Sequence, residues 1–391
     1  MTPNVPSEAL ASTRQALAER YPRVAISHEW LAIPGGSEQV VAQILELLPR
    51  AELFTSIYDP APWPPAITER QVHTSALNRL PGASRHYPKL LPLMDSAFRR
   101  FDLSGFDLVI SSNHACAKNV RVPAGATHVC YCHTPMRYAW DPTFLEGEQL
   151  GIAGRLAFRA LLPRLRRADV RGANGVNMFV ANSTVVADRI ARFYGRDAHV
   201  IAPPVEVERF LHRPRESDDD APYLVFGRVV PYKRVDLAVL ACERLGRPLI
   251  VAGEGRDLER VRSLAGPNTT FVGRVPDEDL AKLFASSRAL LFPGEEDFGI
   301  VPVEAQAAGL AVIGNAIGGV RDSVIDGLTG VLYETPTVTG LCTAIQRFET
   351  LVLNEDTLRN NARRFAPERF TAALAALLMD APEHADRPAP A

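Results

Sequence analysis

Along most of the chain, short apolar runs that stop at glycine, proline or polar residues alternate with stretches of helical period. In the first half the runs Val24–Leu31, Phe106–Ser111, Thr127–Cys132 and Met178–Ser183 read as strands. In the second half Tyr223–Gly227, Pro248–Ala252, Thr270–Val275 and Ala289–Phe292 do the same. Helical period covers Ser7–Arg20, Gln39–Leu48, Tyr87–Arg100, Thr184–Tyr194, a segment from Val235, Ile300–Gly309, Thr339–Phe348 and Pro367–Met379. Strand, turn and helix in alternation predict an α/β protein with two Rossmann-like domains facing a cleft. The expected boundaries are 1–202 for the first domain, 203–222 for a linker rich in proline and charge, and 223–365 for the second domain. A closing helix at 366–380 crosses back to the first domain, and 381–391, rich in proline and alanine, is expected to be disordered.

The stretch Leu290–Gly330 is the most informative. A buried strand ends at Pro293-Gly294, a charged turn Glu295-Glu296-Asp297-Phe298-Gly299 follows, and Pro302 suits the first turn of a helix that Gly309 ends. A ligand there meets backbone N–H groups at a helix N-terminus, which favours an anion. Two carboxylates beside an anion site have a different use, accepting hydrogen bonds from hydroxyls. Eight helical positions at about 1.5 Å each would separate Glu296 from Glu304 by roughly 12 Å. That is too far for an acid and base on one bond and suits the two ends of a nucleotide sugar. A solvated first turn complementing the helix dipole is the plainer alternative.

Glu296-Asp297-Phe298-Gly299, Glu304, Gly318-Gly319 and Asp326-Gly327-Leu328-Thr329-Gly330 together resemble the signature of the retaining family 4 glycosyltransferases, which have the two-domain GT-B fold. Ala311, Gln306 and Asp322 depart from the usual Pro, Met and Glu. By this resemblance Glu304 takes the ribose hydroxyls of a nucleotide-sugar donor and Glu296 the sugar hydroxyls, with the N–H groups of Phe298, Gly299 and Ile300 assisting. Arg228 and Lys233, two cations just past a strand, suit a departing diphosphate and match the family's phosphate-binding pair. Gly35 and Gly36, between the first strand and a helix that Ser37 is placed to cap, correspond to the loop against the donor pyrophosphate. Arg274 and Val275 fall near the nucleobase.

The run Tyr131–Asp141, with His133-Thr134-Pro135, and the form Pro231-Tyr232-Lys233-Arg234 resemble the bacterial mannosyltransferase branch of surface polysaccharide biosynthesis. That resemblance places His133 at the donor sugar and Arg137 and Tyr138 on the acceptor side. It implies transfer of mannose from GDP-mannose to a polyprenyl-diphosphate-linked glycan in exopolysaccharide or O-antigen synthesis, with no metal or other cofactor. A UDP-sugar donor, a GT-B epimerase or phosphorylase, and a non-catalytic sugar-nucleotide binding protein are the alternatives.

Composition narrows the picture further. A formal charge of −2 on 391 residues argues against a protein that works by neutralising nucleic-acid phosphates. Arg155–Arg171 is a local exception, six arginines among leucines, and reads either as a surface for an anionic membrane or as a solvated helix face broken at Pro163. No N-terminal secretory pattern and no apolar run near ~20 residues is present, so a cytoplasmic location, at most peripheral to a membrane, is expected. The five cysteines lack a C-x-x-C pattern and point to structural thiols. His128, Cys130 and Cys132 share a strand face, where packing is a better expectation than metal. The acidic run Asp218-Asp219-Asp220 is read as solvated.

Overall fold

The computed structural model describes residues 7–61, 63–141, 151–216 and 220–381, apart from the side chains at 7–9, 152, 153, 155 and 157. Asp218 and Asp219 of the acidic run, and the tail from 382, lie outside the described residues. The chain divides into two units, one formed by residues up to Pro204 together with those from Glu368 onward, the other by Val205–Pro367.

The first unit contains β1 (Val24–His28), β2 (Glu52–Thr55), β3 (Val72–Thr74), β4 (Leu108–Asn113), β5 (Thr127–Cys132), β6 (Met178–Ala181) and β7 (Ala198–Val200). They form one parallel sheet in the order β3-β2-β1-β4-β5-β6-β7. The central strands β1, β4 and β5 are buried along their whole length, which explains why they read as unbroken runs. Ile26, Ile110 and Val129 pack with Leu53 and Val180, and the last helix, Pro367–Asp380, adds Phe370, Leu374 and Leu378 to the same core. Tyr131 lies edge-on to Phe370 with ring centres 5.6 Å apart, and its hydroxyl donates to Ile201 O at 2.9 Å.

The second unit repeats the scheme with β8 (Tyr223–Phe226), β9 (Leu249–Ala252), β10 (Thr269–Gly273), β11 (Leu290–Phe292), β12 (Val312–Asn315) and β13 (Gly330–Tyr333). Its sheet is also parallel, in the order β10-β9-β8-β11-β12-β13. Strand order reverses between β1 and β4 in one sheet and between β8 and β11 in the other. In an open α/β sheet that reversal leaves a crevice at the strands' carboxyl ends. Both sites described below lie at these two positions.

Several elements differ from the sequence reading. β2, β3 and β7 mix polar and apolar residues over three or four positions and so form no apolar run. β1 stops at His28, because the Glu29 carboxylate turns in to accept amide hydrogens. Tyr87–Arg100 is a 3₁₀ turn, Tyr87–Leu90, followed by an α-helix, Leu91–Phe98, as Pro88 and Pro92 each open a new helical start. The glycine pair opens the Gly36–Leu47 helix, with Gly35 as its cap, so Ser37 falls inside the first turn and does not cap. Within the expected linker, Val205, Val207 and Phe210 are fully buried, and Glu208–Leu211 is a short helix whose Phe210 packs on Phe284.

The helix Ile152–Asn174 runs unbroken through Pro163. Leu165, Phe158 and Leu161 pack on the first unit's core, and that burial outweighs a penalty of about 3 kcal/mol for an interior proline. Arg166 donates to Ala139 O at 2.8 Å, and Arg171 pairs with Asp95 at 2.8 Å. Arg159, Arg164 and Arg167 stay exposed. No helix among the described residues is long and apolar enough to cross a membrane.

Candidate functional site

In the second unit, the carboxyl ends of β8 and β11 bring Lys233 and Glu296 together, with Nζ and Oε1 2.6 Å apart. Lys233 closes a 3₁₀ turn, Pro231–Lys233. Arg234, which follows it, is the sole non-glycine residue with positive φ among the described residues. A left-handed conformation costs about 1–2 kcal/mol, and the fork of Arg234 on Asp236, at 3.2 and 3.4 Å, helps hold it. Arg228 is exposed and donates to the Tyr232 hydroxyl at 3.3 Å.

The Glu295–Gly299 loop is held from behind by backbone. Gly319 N donates to Glu296 O at 2.8 Å, and a Cβ on Gly319 would stand 2.2 Å from Asp297 O. Only glycine fits there. Gly299, at φ 87, then turns the chain into the Ile300–Ala307 helix. Phe298 points its ring inward, buried against Phe365 with centres 5.6 Å apart, so it can offer a ligand only its amide. The amides of Phe298, Gly299 and Ile300 meet no acceptor among the described residues, which leaves three donors at a helix N-terminus.

Glu304 lies one turn into that helix. Burial pushes its pKa up to about 7, Arg209 opposing and Asp277 adding to the shift. Behind it Gln306 is fully buried; its amide donates to Pro302 O and Ser323 O at 3.0 Å, and its oxygen accepts from Asn361 at 2.7 Å. Asn361 thus satisfies the polar group that stands where the family commonly has Met. Arg274 and Val275 follow β10 at the sheet's edge, Arg274 exposed and Val275 half-buried.

The first unit gathers polar side chains at its own strand reversal. The buried Glu29 carboxylate accepts four backbone amides, from His114, Ala115, Cys116 and Ala117, at 2.7 to 3.1 Å. His133 follows β5, half-buried, with Nε2 2.8 Å from Ser112 Oγ. Burial, then His114 and His28, hold its pKa well below the ordinary histidine value. Arg137 and Tyr138 are half-buried in the short helix Arg137–Trp140. That helix is anchored by Asp169, which accepts from Trp140 Nε1 at 2.6 Å, from the Tyr194 hydroxyl at 2.8 Å and from Lys118. Lys118 is fully buried; burial would lower its pKa, but Asp169 outweighs that and holds it above the ordinary value. Gly35 is exposed and Gly36 half-buried at the start of their helix.

Within each unit, then, the structure gathers residues of the sequence reading. Glu296, the 298–300 amides and Glu304 lie along one loop and helix start, with Lys233 brought against Glu296 from the turn after β8, and His133 lies next to the short helix that carries Arg137 and Tyr138. Glu29, Glu38, His28, Ser112, Lys118 and Asp169 escaped that reading. For His28, Glu29, Ser112 and Lys118 the one visible signal was polarity in or beside apolar runs, as in Ser111-Ser112-Asn113 and in Lys118 after Ala115-Cys116-Ala117, whereas Glu38 and Asp169 lie in polar stretches. His128 bonds Ser111 at 2.9 Å, and Cys130 and Cys132 pack with Phe179 and Val186. Among the described residues no group of three or more His, Cys, Asp and Glu is placed to hold a metal.

Residues 34–209 match the model for Glycosyltransferase Family 4, and residues 207–365 match that for Glycosyl transferases group 1. A D-inositol 3-phosphate glycosyltransferase of Nocardioides sp. is 29% identical over 230 residues, 49% of each chain. This chain spans about half the length of the curated relatives it matches. Among solved structures, the apo lipopolysaccharide outer core galactosyltransferase WaaB superposes with a TM-score of 0.65 at 18% identity, over 91% of this chain and 99% of its own. HepE of Anabaena in complex with UDP gives 0.65 at 16% identity, with the same coverage. At such identities the likeness is one of fold. Residues 34–209 thus form a family 4 glycosyltransferase N-terminal domain and residues 207–365 a glycosyl transferases group 1 domain, on the GT-B fold of these neighbours.

Proposed function

We propose that this protein transfers a hexosyl group from a nucleotide sugar to an acceptor hydroxyl with retention of anomeric configuration. The observation that carries the reading is the convergence, at the carboxyl ends of β8 and β11, of the Lys233–Glu296 pair with the unpartnered amides of Phe298–Ile300. Those amides and Lys233 suit a diphosphate, with exposed Arg228 nearby in the chain. Glu296, already oriented by Lys233, is placed to accept from sugar hydroxyls, and Glu304 from a ribose diol. Rate comes from positioning and from charge stabilisation on the leaving diphosphate, without a covalent nucleophile. In the same reading His133 serves the donor sugar, Gly35 and Gly36 the diphosphate, Arg274 and Val275 the base, and Arg137 and Tyr138 the acceptor.

The proposed donor is GDP-mannose, on the resemblance of Tyr131–Asp141 and Pro231–Arg234 to the mannosyltransferase branch. The proposed acceptor is a polyprenyl-diphosphate-linked glycan, and exposed Arg159, Arg164 and Arg167 offer charge to an anionic membrane surface that would present it. A UDP-sugar is the second reading, favoured by the UDP in the HepE complex and by a galactosyltransferase among the fold relatives. Incubating the protein with GDP-mannose, UDP-glucose or UDP-galactose and a polyprenyl-diphosphate disaccharide separates these. The expected result is an α-linked mannosyl product by proton NMR. Use of a UDP-sugar replaces the donor and keeps the reaction. Product formed without acceptor, or only with free phosphate, or no turnover with any donor, would remove the transferase assignment.

A further inference from the structure

Four side chains of the first unit form a line from the Gly36–Leu47 helix to the end of β5. Glu38 Oε1 and His28 Nε2 are 3.1 Å apart, His28 Nδ1 and Ser112 Oγ 3.1 Å, and Ser112 Oγ and His133 Nε2 2.8 Å. Glu38, His28 and Ser112 are buried, so solvent does not compete for these bonds. His133 is half-buried, and its Nδ1 meets no partner among the described residues.

With a single proton on the His28 ring, the proton count along this line runs one way. Burial alone would raise the Glu38 pKa, but the hydrogen bond to His28, with His114 and Ser37, holds it below its usual value. An ionised carboxylate only accepts, so the proton of a neutral His28 sits on Nε2 and its Nδ1 is bare. The Ser112 hydroxyl therefore donates to His28 Nδ1. With its single proton spent there, Ser112 Oγ accepts from His133 Nε2–H. His114, with ring centres 6.5 Å from His28 and 6.4 Å from His133, crowds the group against further positive charge.

We propose that Glu38, His28 and Ser112 are positioning residues that fix His133 as the neutral Nε2–H tautomer, so that Nδ1 presents a lone pair to a hydroxyl of the donor sugar. The orientation towards a sugar rests on the transferase reading; the tautomer does not. A lone pair accepts from a hydroxyl without charging the ring, whereas an Nδ1–H would have to donate and so demand a different hydroxyl geometry.

The test is long-range proton–nitrogen correlation NMR on the whole protein labelled with ¹⁵N-histidine, His133 being assigned by the signal missing from His133→Asn. Wild type at pH 7.5 should show His133 with a proton on Nε2 and a bare Nδ1. Ser112→Ala should leave a mixture of tautomers and lower kcat about tenfold with donor KM little changed, the equivalent of one hydrogen bond of ordinary strength. Ser112→Thr keeps the hydroxyl and should restore both. Glu38→Gln should disturb the His133 tautomer from two links away. An Nδ1–H His133 in wild type, the pattern a doubly protonated His28 would impose, overturns the proposal; so does an unchanged Nε2–H signal in folded Ser112→Ala. A pure Nε2–H signal that responds to Ser112→Ala in a protein without transferase activity upholds the relay and removes only its assignment to a sugar.

Discussion

Gly319→Ala is expected to weaken nucleotide binding strongly and to destabilise the second unit. The new methyl would lie 2.2 Å from Asp297 O and 2.6 Å from Phe298 Cα, both backbone atoms that cannot swing away as a long side chain can. The loop from Glu295 to Gly299 must move, and with it the 2.8 Å bond from Gly319 N to Glu296 O. Overpacking of this kind costs typically 1–3 kcal/mol. The site is affected to a similar degree, because Glu296 and the 298–300 amides are placed by the displaced segment, and a misplacement near 1 Å can cost about 10²-fold in rate, about 2.7 kcal/mol. Denaturant melts and nucleotide titration of the same variant read both effects. A stable variant with wild-type affinity would mean that the loop is not the binding element.

Glu304→Gln should act in opposite directions on stability and on binding. The carboxyl group has an ordinary pKa near 4.5 when exposed and about 7 in the fold, raised by burial. Below the lower value both states hold the proton and stability is unaffected. Between the two, the folded state binds the proton more tightly, so stability falls as pH rises, and it levels off above about 7. The difference of about 2.5 pK units corresponds to a loss of about 3 kcal/mol by pH 8. A glutamine carries no charge to desolvate. The variant should therefore be more stable than wild type at pH 8, by up to about 3 kcal/mol, and nearly equal to it at pH 4.5. A desolvated acid retained at such a cost is the pattern of a residue kept for binding. Urea melts at the two pH values check this, and an equal stability difference at both would refute the shifted carboxyl.

Much of the layout was legible because parallel strands buried on both faces are written as plain apolar runs. Thr127–Cys132 and Thr184–Tyr194 could be read to the residue, the first from its run and the second from Ser183, whose hydroxyl caps the helix by accepting from Val186 N. The Glu296–Glu304 stretch was legible as one local segment. What stayed hidden depends on register between distant strands. His28 lies opposite Ser112 across the β1–β4 pair, and Lys118 meets Asp169 across 51 positions. His28, Ser112 and Lys118 each read alone as an odd polar residue among apolar ones, and Asp169 as one acid among arginines. Gln306 looked like a defect in the motif until Asn361, from a helix the sequence reading lacked, supplied its partner. Pro163 misled for the opposite reason, since local propensity pointed to a break and burial of the surrounding apolar face prevailed.

The central claim is that the loop and helix start from Glu295 to Glu304 bind the nucleoside diphosphate of a sugar donor. Calorimetric titration of wild type and Glu304→Gln with GDP and UDP at pH 8 tests it most directly. The account predicts binding of at least one of the two, on the order of 10 µM, within the ordinary range of enzyme KM values, and at least tenfold weaker binding in the variant despite its greater stability. No binding of either nucleotide by the folded wild type, or equal affinity in the variant, would contradict it.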